Sequence, residues 1–136
     1  MSRFVVDASV TMAWCFEDEC DAYADEILDR LREQDALAPA LWPLEVVNVL
    51  LVAERRRRIR PAESARYIEL LRSLPIRVES PAPEHLWATI PAIGRDLGLS
   101  AYDAAYFELA MRHGVPLATR DTRLVAACSV AGIEHA

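Results

Sequence analysis

The chain has 136 residues, 53% of them hydrophobic and 26% charged, with a formal net charge of −6. That size and mixture suit one folded domain over residues 1–136 and argue against disorder. No apolar stretch nears the roughly 20 residues that span a bilayer, and the lack of any lysine excludes phosphate-loop nucleotidases.

In chain order, "RFVV" reads as a buried strand that runs straight into Asp7, with a helix from about Ser9. The segment "DAYADEILDRLREQD" is acidic and amphipathic, its Ala24, Ile27, Leu28 and Leu31 recurring at helical spacing. "ALAP" is a short strand candidate before the helix "LWPLEVVNVLLVAERRRR", where Pro43 suits the first turn and the arginines suit the end. "PAESARYIELLRSL" is helical and "IRVES" a strand. "PEHLWATIPAIGRDLG" predicts a helix closed by Gly98 and bent at Pro91. "SAYDAAYFELAMRHG" predicts a helix from a capping serine to Gly114. "PLAT" is a strand, "RDTRLVAACSVAG" a helix and "IEH" a final strand candidate.

This alternation predicts a three-layer α/β/α domain with a mainly parallel central sheet. Such sheets hold ligands at the carboxyl ends of their strands. Four acids stand at such addresses. Asp7 follows the first strand and Asp121 the "PLAT" strand, while Glu45 and Asp103 occupy the first turns of helices. Each taken alone suits a helix cap, typically worth about 0.5–2 kcal/mol. If those helix entries converge on one sheet edge, however, the crowded carboxylates raise one another's pKa and call for a hard divalent cation.

The cysteines Cys15, Cys20 and Cys128 and the scattered histidines form no zinc or redox spacing. Reduced thiols and the absence of a signal-peptide pattern make the cytoplasm the expected location. The negative net charge argues against nucleic-acid binding by the whole surface, though not by a local patch. The run "ERRRRIR" supplies such a patch in Arg55, Arg56, Arg57 and Arg58, which reads equally as a solvated helix end. Trp14, Trp42 and Trp87 read as core or interface residues.

"FVVDAS", "PLEVVNVL", "LSAYDAAYFELA" and "LATRD" together resemble the four acidic motifs of PIN-domain ribonucleases, nearest to the VapC-type toxins of bacterial toxin–antitoxin pairs. The resemblance covers essentially the whole chain, and its most specific parts are "SAYDAAYFELA" and "LATRD". It implies that Asp7, Glu45, Asp103 and Asp121 hold Mg2+ or Mn2+, with hydroxyls of Ser9 and Thr119 and the amide of Asn48 close behind them. It implies metal-dependent hydrolysis of RNA phosphodiesters, a cognate VapB-like antitoxin as partner and a homodimer. The helices between Ser9 and Glu54 are expected to form the antitoxin groove. The role of Glu45 stays open among direct ligand, water-bridged ligand and base. A haloacid-dehalogenase phosphatase fails because Ser9 replaces its second Asp, and it and a receiver domain both lack their lysine. The rival of another class is a non-catalytic module that binds RNA or a partner protein.

Overall fold

A computed structural model describes residues 3–19 and 21–136; Cys20 lies outside the described residues. Four strands form one sheet: β1 (Arg3–Val6), β2 (Asp35–Pro39), β3 (Ile76–Glu79) and β4 (Leu117–Ala118). Their order is β3-β2-β1-β4, and every pairing is parallel. β1 lies opposite both neighbours, with Val5 beside Leu37 on one side and Leu117 on the other.

The apolar run of β1 explains its central place, since a strand covered on both faces needs no polar alternation. Phe4 and Val6 pack on one face with Val10 and Ala13 of α1 (Ala8–Cys15) and Ala24 and Ile27 of α2 (Ala22–Arg30). Val5 packs on the other face. There it meets the larger cluster built from α3 (Trp42–Arg55), α4 (Pro61–Ser73), α5 (Ile90–Leu97), α6 (Ala101–His113) and α7 (Thr122–Ala131). The expected three layers are therefore present. Among the described residues, no helix is long and apolar enough to cross a membrane.

Several boundaries differ from the sequence reading for identifiable reasons. α2 ends at Arg30 rather than Asp35, because Asp35 is taken into β2 opposite Arg3. α3 stops at Arg55, three residues before the arginine run ends. Arg57 sits at φ 59°, and its N–H and that of Arg58 donate to Glu54 and Ala53 carbonyls. This is a Schellman termination with arginine at the left-handed position that glycine usually fills. The helix expected across Pro91 is divided into a π turn at His85–Thr89 followed by α5. Proline has no N–H for an α-helical bond, and the wider turn absorbs the break, with Ile90 N–H donating to the His85 carbonyl. "IEH" contributes only an isolated bridge between His135 and Leu117. Trp14 and Trp42 are packed inward as expected, whereas Trp87 is 80% exposed and is not a core residue.

Candidate active site

The chain passes from β1 through β2 to β3 on one side, then returns across the sheet to lay β4 on the other side of β1. The crevice at the carboxyl ends of β1 and β4 is thus the topological switch point, where parallel sheets hold ligands. Asp7 stands at the tip of β1 with its N–H on the Ala118 carbonyl at 3.2 Å, and Thr119 and Asp121 follow β4.

Asp7 is 4% exposed and its carboxylate is fully engaged by this crevice. Oδ1 accepts from Ser9 Oγ at 2.7 Å and from the Val10 N–H at 3.1 Å, the latter capping α1. Oδ2 accepts from Thr119 Oγ1 at 2.5 Å. Thr119 Oγ1 also accepts from the Asp121 N–H at 3.1 Å, and Ser9 Oγ accepts from the Arg120 N–H at 2.9 Å. Two hydroxyls therefore stitch the exits of β1 and β4 together through the Asp7 carboxylate. Behind them, His135 Nε2 donates to the Thr119 carbonyl at 2.9 Å, a direction fixed because a carbonyl can only accept.

Glu45 is brought in by the first turn of α3. Trp42 Nε1 donates to Thr11 Oγ1 at 3.0 Å, and Thr11 Oγ1 donates to the Asp7 carbonyl at 2.9 Å. That relay pins the start of α3 to the backbone of Asp7, three residues ahead of Glu45. Glu45 Oε1 accepts from the hydroxyl of the buried Tyr106. Tyr106 is one turn beyond Asp103 on α6, so one helix carries both an acid and the donor that orients another acid. Asp103 follows the Ser100 cap, whose Oγ accepts the Asp103 N–H at 3.1 Å. Asp121 caps α7 by accepting from the Arg123 N–H at 2.9 Å. The capping role foreseen for isolated acids is thus real at Asp7 and Asp121. At α6 the cap is Ser100, and the Asp103 carboxylate is left for other partners.

The electrostatics link all four carboxylates. Burial raises the Asp7 carboxyl above its ordinary pKa, against the hydrogen bonds from Thr119, Ser9 and Val10 that pull it down. Burial likewise raises Glu45; the Tyr106 hydroxyl opposes this, and the charges of Asp103 and Asp7 add to it. Burial also raises Asp103, with Arg123 opposing and Asp121 adding. Arg123 supplies the countercharge: its Nη2 is 3.0 Å from Asp103 Oδ2 and 4.0 Å from Asp121 Oδ2. Arg120 is engaged elsewhere, with Nε 2.6 Å from Asp21 Oδ2.

The donor set offers hard oxygen atoms, the type that Mg2+ and Mn2+ take, and an excess of negative charge that a divalent ion neutralises. In that chemical sense the residues fit a divalent ion. Among the described residues, though, no three His, Cys, Asp or Glu side chains are already positioned to hold one together. A guanidinium bridges two of the acids instead.

The remaining expected residues stand apart. Asn48 is exposed on α3 and, among the described residues, makes no hydrogen bond to the four acids. Arg55 is ten residues beyond Glu45, about 15 Å along the helix axis at 1.5 Å per residue. Arg56 and Arg57 follow it and are exposed. Arg58 is occupied: it pairs with Asp18 at 2.9 Å and lies over the Phe16 ring at 4.8 Å from its centroid. Sequence reasoning missed Tyr106, Arg123 and Thr11. The spacing of Tyr106 from Asp103 places them on one helical face, a signal present in the sequence; the others had none.

The sequence matches the profile of the PIN domain family over residues 4–129. A comparison with curated proteins finds no match. Among solved structures, the chain is similar to PAE2754 from Pyrobaculum aerophilum, at 25% identity and a TM-score of 0.71, covering 93% of this chain and 84% of that one. It is similar in fold to VapC20 of Mycobacterium tuberculosis, a Sarcin-Ricin loop cleaving toxin, at 17% identity, a TM-score of 0.63 and coverage of 91% and 94%. It is also similar in fold to VapBC2 from Rickettsia felis, solved with a promoter DNA fragment, at 7% identity, a TM-score of 0.67 and coverage of 98% and 97%.

Proposed function

We propose a function for this chain from one premise: it belongs to the PIN domain family. The chain is a divalent-metal-dependent endoribonuclease that hydrolyses RNA phosphodiesters, and it acts as the toxin of a toxin–antitoxin pair. The observation that carries this reading is the Asp7 carboxylate, buried at the switch point of the sheet and electrostatically coupled to Glu45, which in turn senses Asp103.

Asp7, Glu45, Asp103 and Asp121 would hold Mg2+ or Mn2+. When bound, a divalent ion supplies a Lewis acid and a means of making hydroxide from water at neutral pH. The protein's own contribution is positional. Ser9 and Thr119 fix both oxygens of Asp7, so its carboxylate cannot rotate. Tyr106 fixes Oε1 of Glu45. Burial raises the Glu45 carboxyl above its ordinary value, which makes it a better proton acceptor once ionised and favours the base role among those open to it.

An antitoxin partner is supported by an exposed apolar stripe, Leu44, Val47 and Leu51, spaced along one side of α3. It borders a groove of about 410 Å3 that includes Trp42, Pro43, Val46 and Leu71. These α3 residues lie within the helices expected to face a VapB-like antitoxin. A homodimer and a cytoplasmic location rest on the resemblance and the composition alone.

The test is cleavage of total bacterial RNA by the purified protein with Mn2+ or Mg2+ and with EDTA. Cleavage that requires the ion and disappears in Asp7→Asn and Asp103→Asn supports the reading. Intact RNA at saturating ion, with retained binding to RNA or a partner protein, would establish a non-catalytic module instead.

A further inference from the structure

Among the described residues, the four acids at the switch point meet a single ion-pairing cation, Arg123. Asp7 and Glu45 have no ion-pair partner there, and Arg120 is bound to Asp21. The Arg123 guanidinium bridges Asp103 and Asp121, using the carboxylate oxygens that a divalent ion would need. Its side chain is 64% exposed, so it is free to leave along the solvent side. Arg123 also sits two residues past the α7 cap, and its own N–H is held by that cap, Asp121 Oδ1, at 2.9 Å. The backbone is thus anchored while the head is loose.

We infer that Arg123 is a resident stand-in for the divalent ion: its guanidinium competes with the metal for Asp103 and Asp121, and once displaced it binds a phosphate of the RNA at the rim. This rests on the nuclease reading above and adds a residue that the four acidic motifs do not include. The argument is one of charge. With the ion absent, the guanidinium offsets repulsion between Asp103 and Asp121. With the ion present, the carboxylate oxygens that the guanidinium uses are occupied and their charge partly neutralised, so it is left beside the crevice, where an incoming phosphodiester offers it a new anionic partner.

The experiment is calorimetric titration of the full chain with Mn2+ alone, comparing wild type with Arg123→Gln. Because an exposed ion pair is worth at most about 1 kcal/mol, the variant should bind Mn2+ roughly two- to five-fold more tightly. Equal or weaker binding by the variant overturns the inference, since Arg123 would then be a surface pair or a support for the acids. Binding by neither protein overturns the metal reading of the site itself, and the inference with it. Binding by the variant alone supports competition in its strongest form.

A second measurement uses a mixed-sequence 2′-O-methyl single strand, which is not cleaved, titrated against salt in Mn2+. Loss of one phosphate contact should lower the log–log slope by about 0.7 in Arg123→Gln. An unchanged slope removes the phosphate-binding half of the proposal.

Discussion

Replacing Asp7 by asparagine separates its observed role as a helix cap from its proposed role as a metal ligand. The amide oxygen can take over the Oδ1 bonds from Ser9 and the Val10 N–H. The amide nitrogen can donate to Thr119 Oγ1, which already accepts from the Asp121 N–H. Hydrogen bonds to charged groups are worth about 1.5–3 kcal/mol and neutral ones about 0.5–1.5, so the exchange weakens each bond by about 1 kcal/mol. Against that, burial raises the Asp7 pKa despite those bonds, so folding disfavours the ionised form relative to the unfolded chain. The two effects oppose each other. In EDTA at neutral pH, Asp7→Asn should melt within about 4 °C of wild type, or above it, which corresponds to about 1 kcal/mol. Asp7→Ala should behave differently. It loses the cap, about 1 kcal/mol, and strands two hydroxyls at about 1–3 kcal/mol. A fall of about 10 °C follows. With Mn2+ at a hundred times its Kd, wild type gains about 2.7 kcal/mol and the asparagine variant gains nothing. Differential scanning calorimetry of the three proteins with and without the ion measures all of this. Mn2+ that stabilises Asp7→Asn as much as wild type, or an EDTA melt as low as that of Asp7→Ala, refutes the reasoning.

Thr119→Val keeps the shape but removes the donor to Asp7 and the acceptor for the Asp121 N–H; it should cost about 2 kcal/mol by chemical denaturation and push the Asp7 carboxyl still higher in a carboxyl NMR titration. Tyr106→Phe removes the hydroxyl that lowers the Glu45 pKa, so Glu45 should titrate higher and the acid limb of the cleavage profile should move up in pH. An unmoved limb would exclude Glu45 as the base. In the metal-free protein the raised Asp7, Glu45 and Asp103 carboxyls bind protons that the unfolded chain has already released, so stability should fall as pH rises through their folded pKa values. Urea unfolding from neutral pH down toward the ordinary carboxylate values of 3.8 and 4.5 should therefore show a gain in stability attributable to these groups, smaller in Asp7→Asn. Substituting Arg55, Arg56 and Arg57 with Gln should lower the salt slope of RNA binding, while Arg58→Gln, already paired with Asp18, should leave it unchanged.

The sequence carried the layers, the strand directions and the addresses of the acids because these depend on local pattern. "RFVV" has no polar alternation and had to be covered on both faces, and Ser100, Gly98 and Gly114 punctuate helices by local chemistry alone. The end of α2 was not legible, because the strand pairing of Asp35 with Arg3 decided it from 32 positions away. Nor was the end of α3, where Arg57 takes the left-handed position of a Schellman termination that sequence pattern reserves for glycine. At the candidate site, the positions of the acids and the Ser9 and Thr119 hydroxyls beside Asp7 were readable, but the other partners were not. Thr11 and Arg123 act through contacts with distant segments or through rotamers, and neither leaves a mark on spacing; only Tyr106, one turn beyond Asp103, left a signal of that kind. The arginine run shows the opposite failure: a conspicuous local signal whose place in the fold is about three helical turns from Glu45.

The bond between Thr119 and Asp7 joins positions 112 apart, and that separation sets a clock. At roughly 5–20 residues per second, a ribosome needs about 6–22 s to travel from one to the other. For all of that interval the emerging polypeptide has a first strand with no neighbour on its β4 side and only part of the candidate site. The crevice beside Asp7 can close only when translation is nearly over.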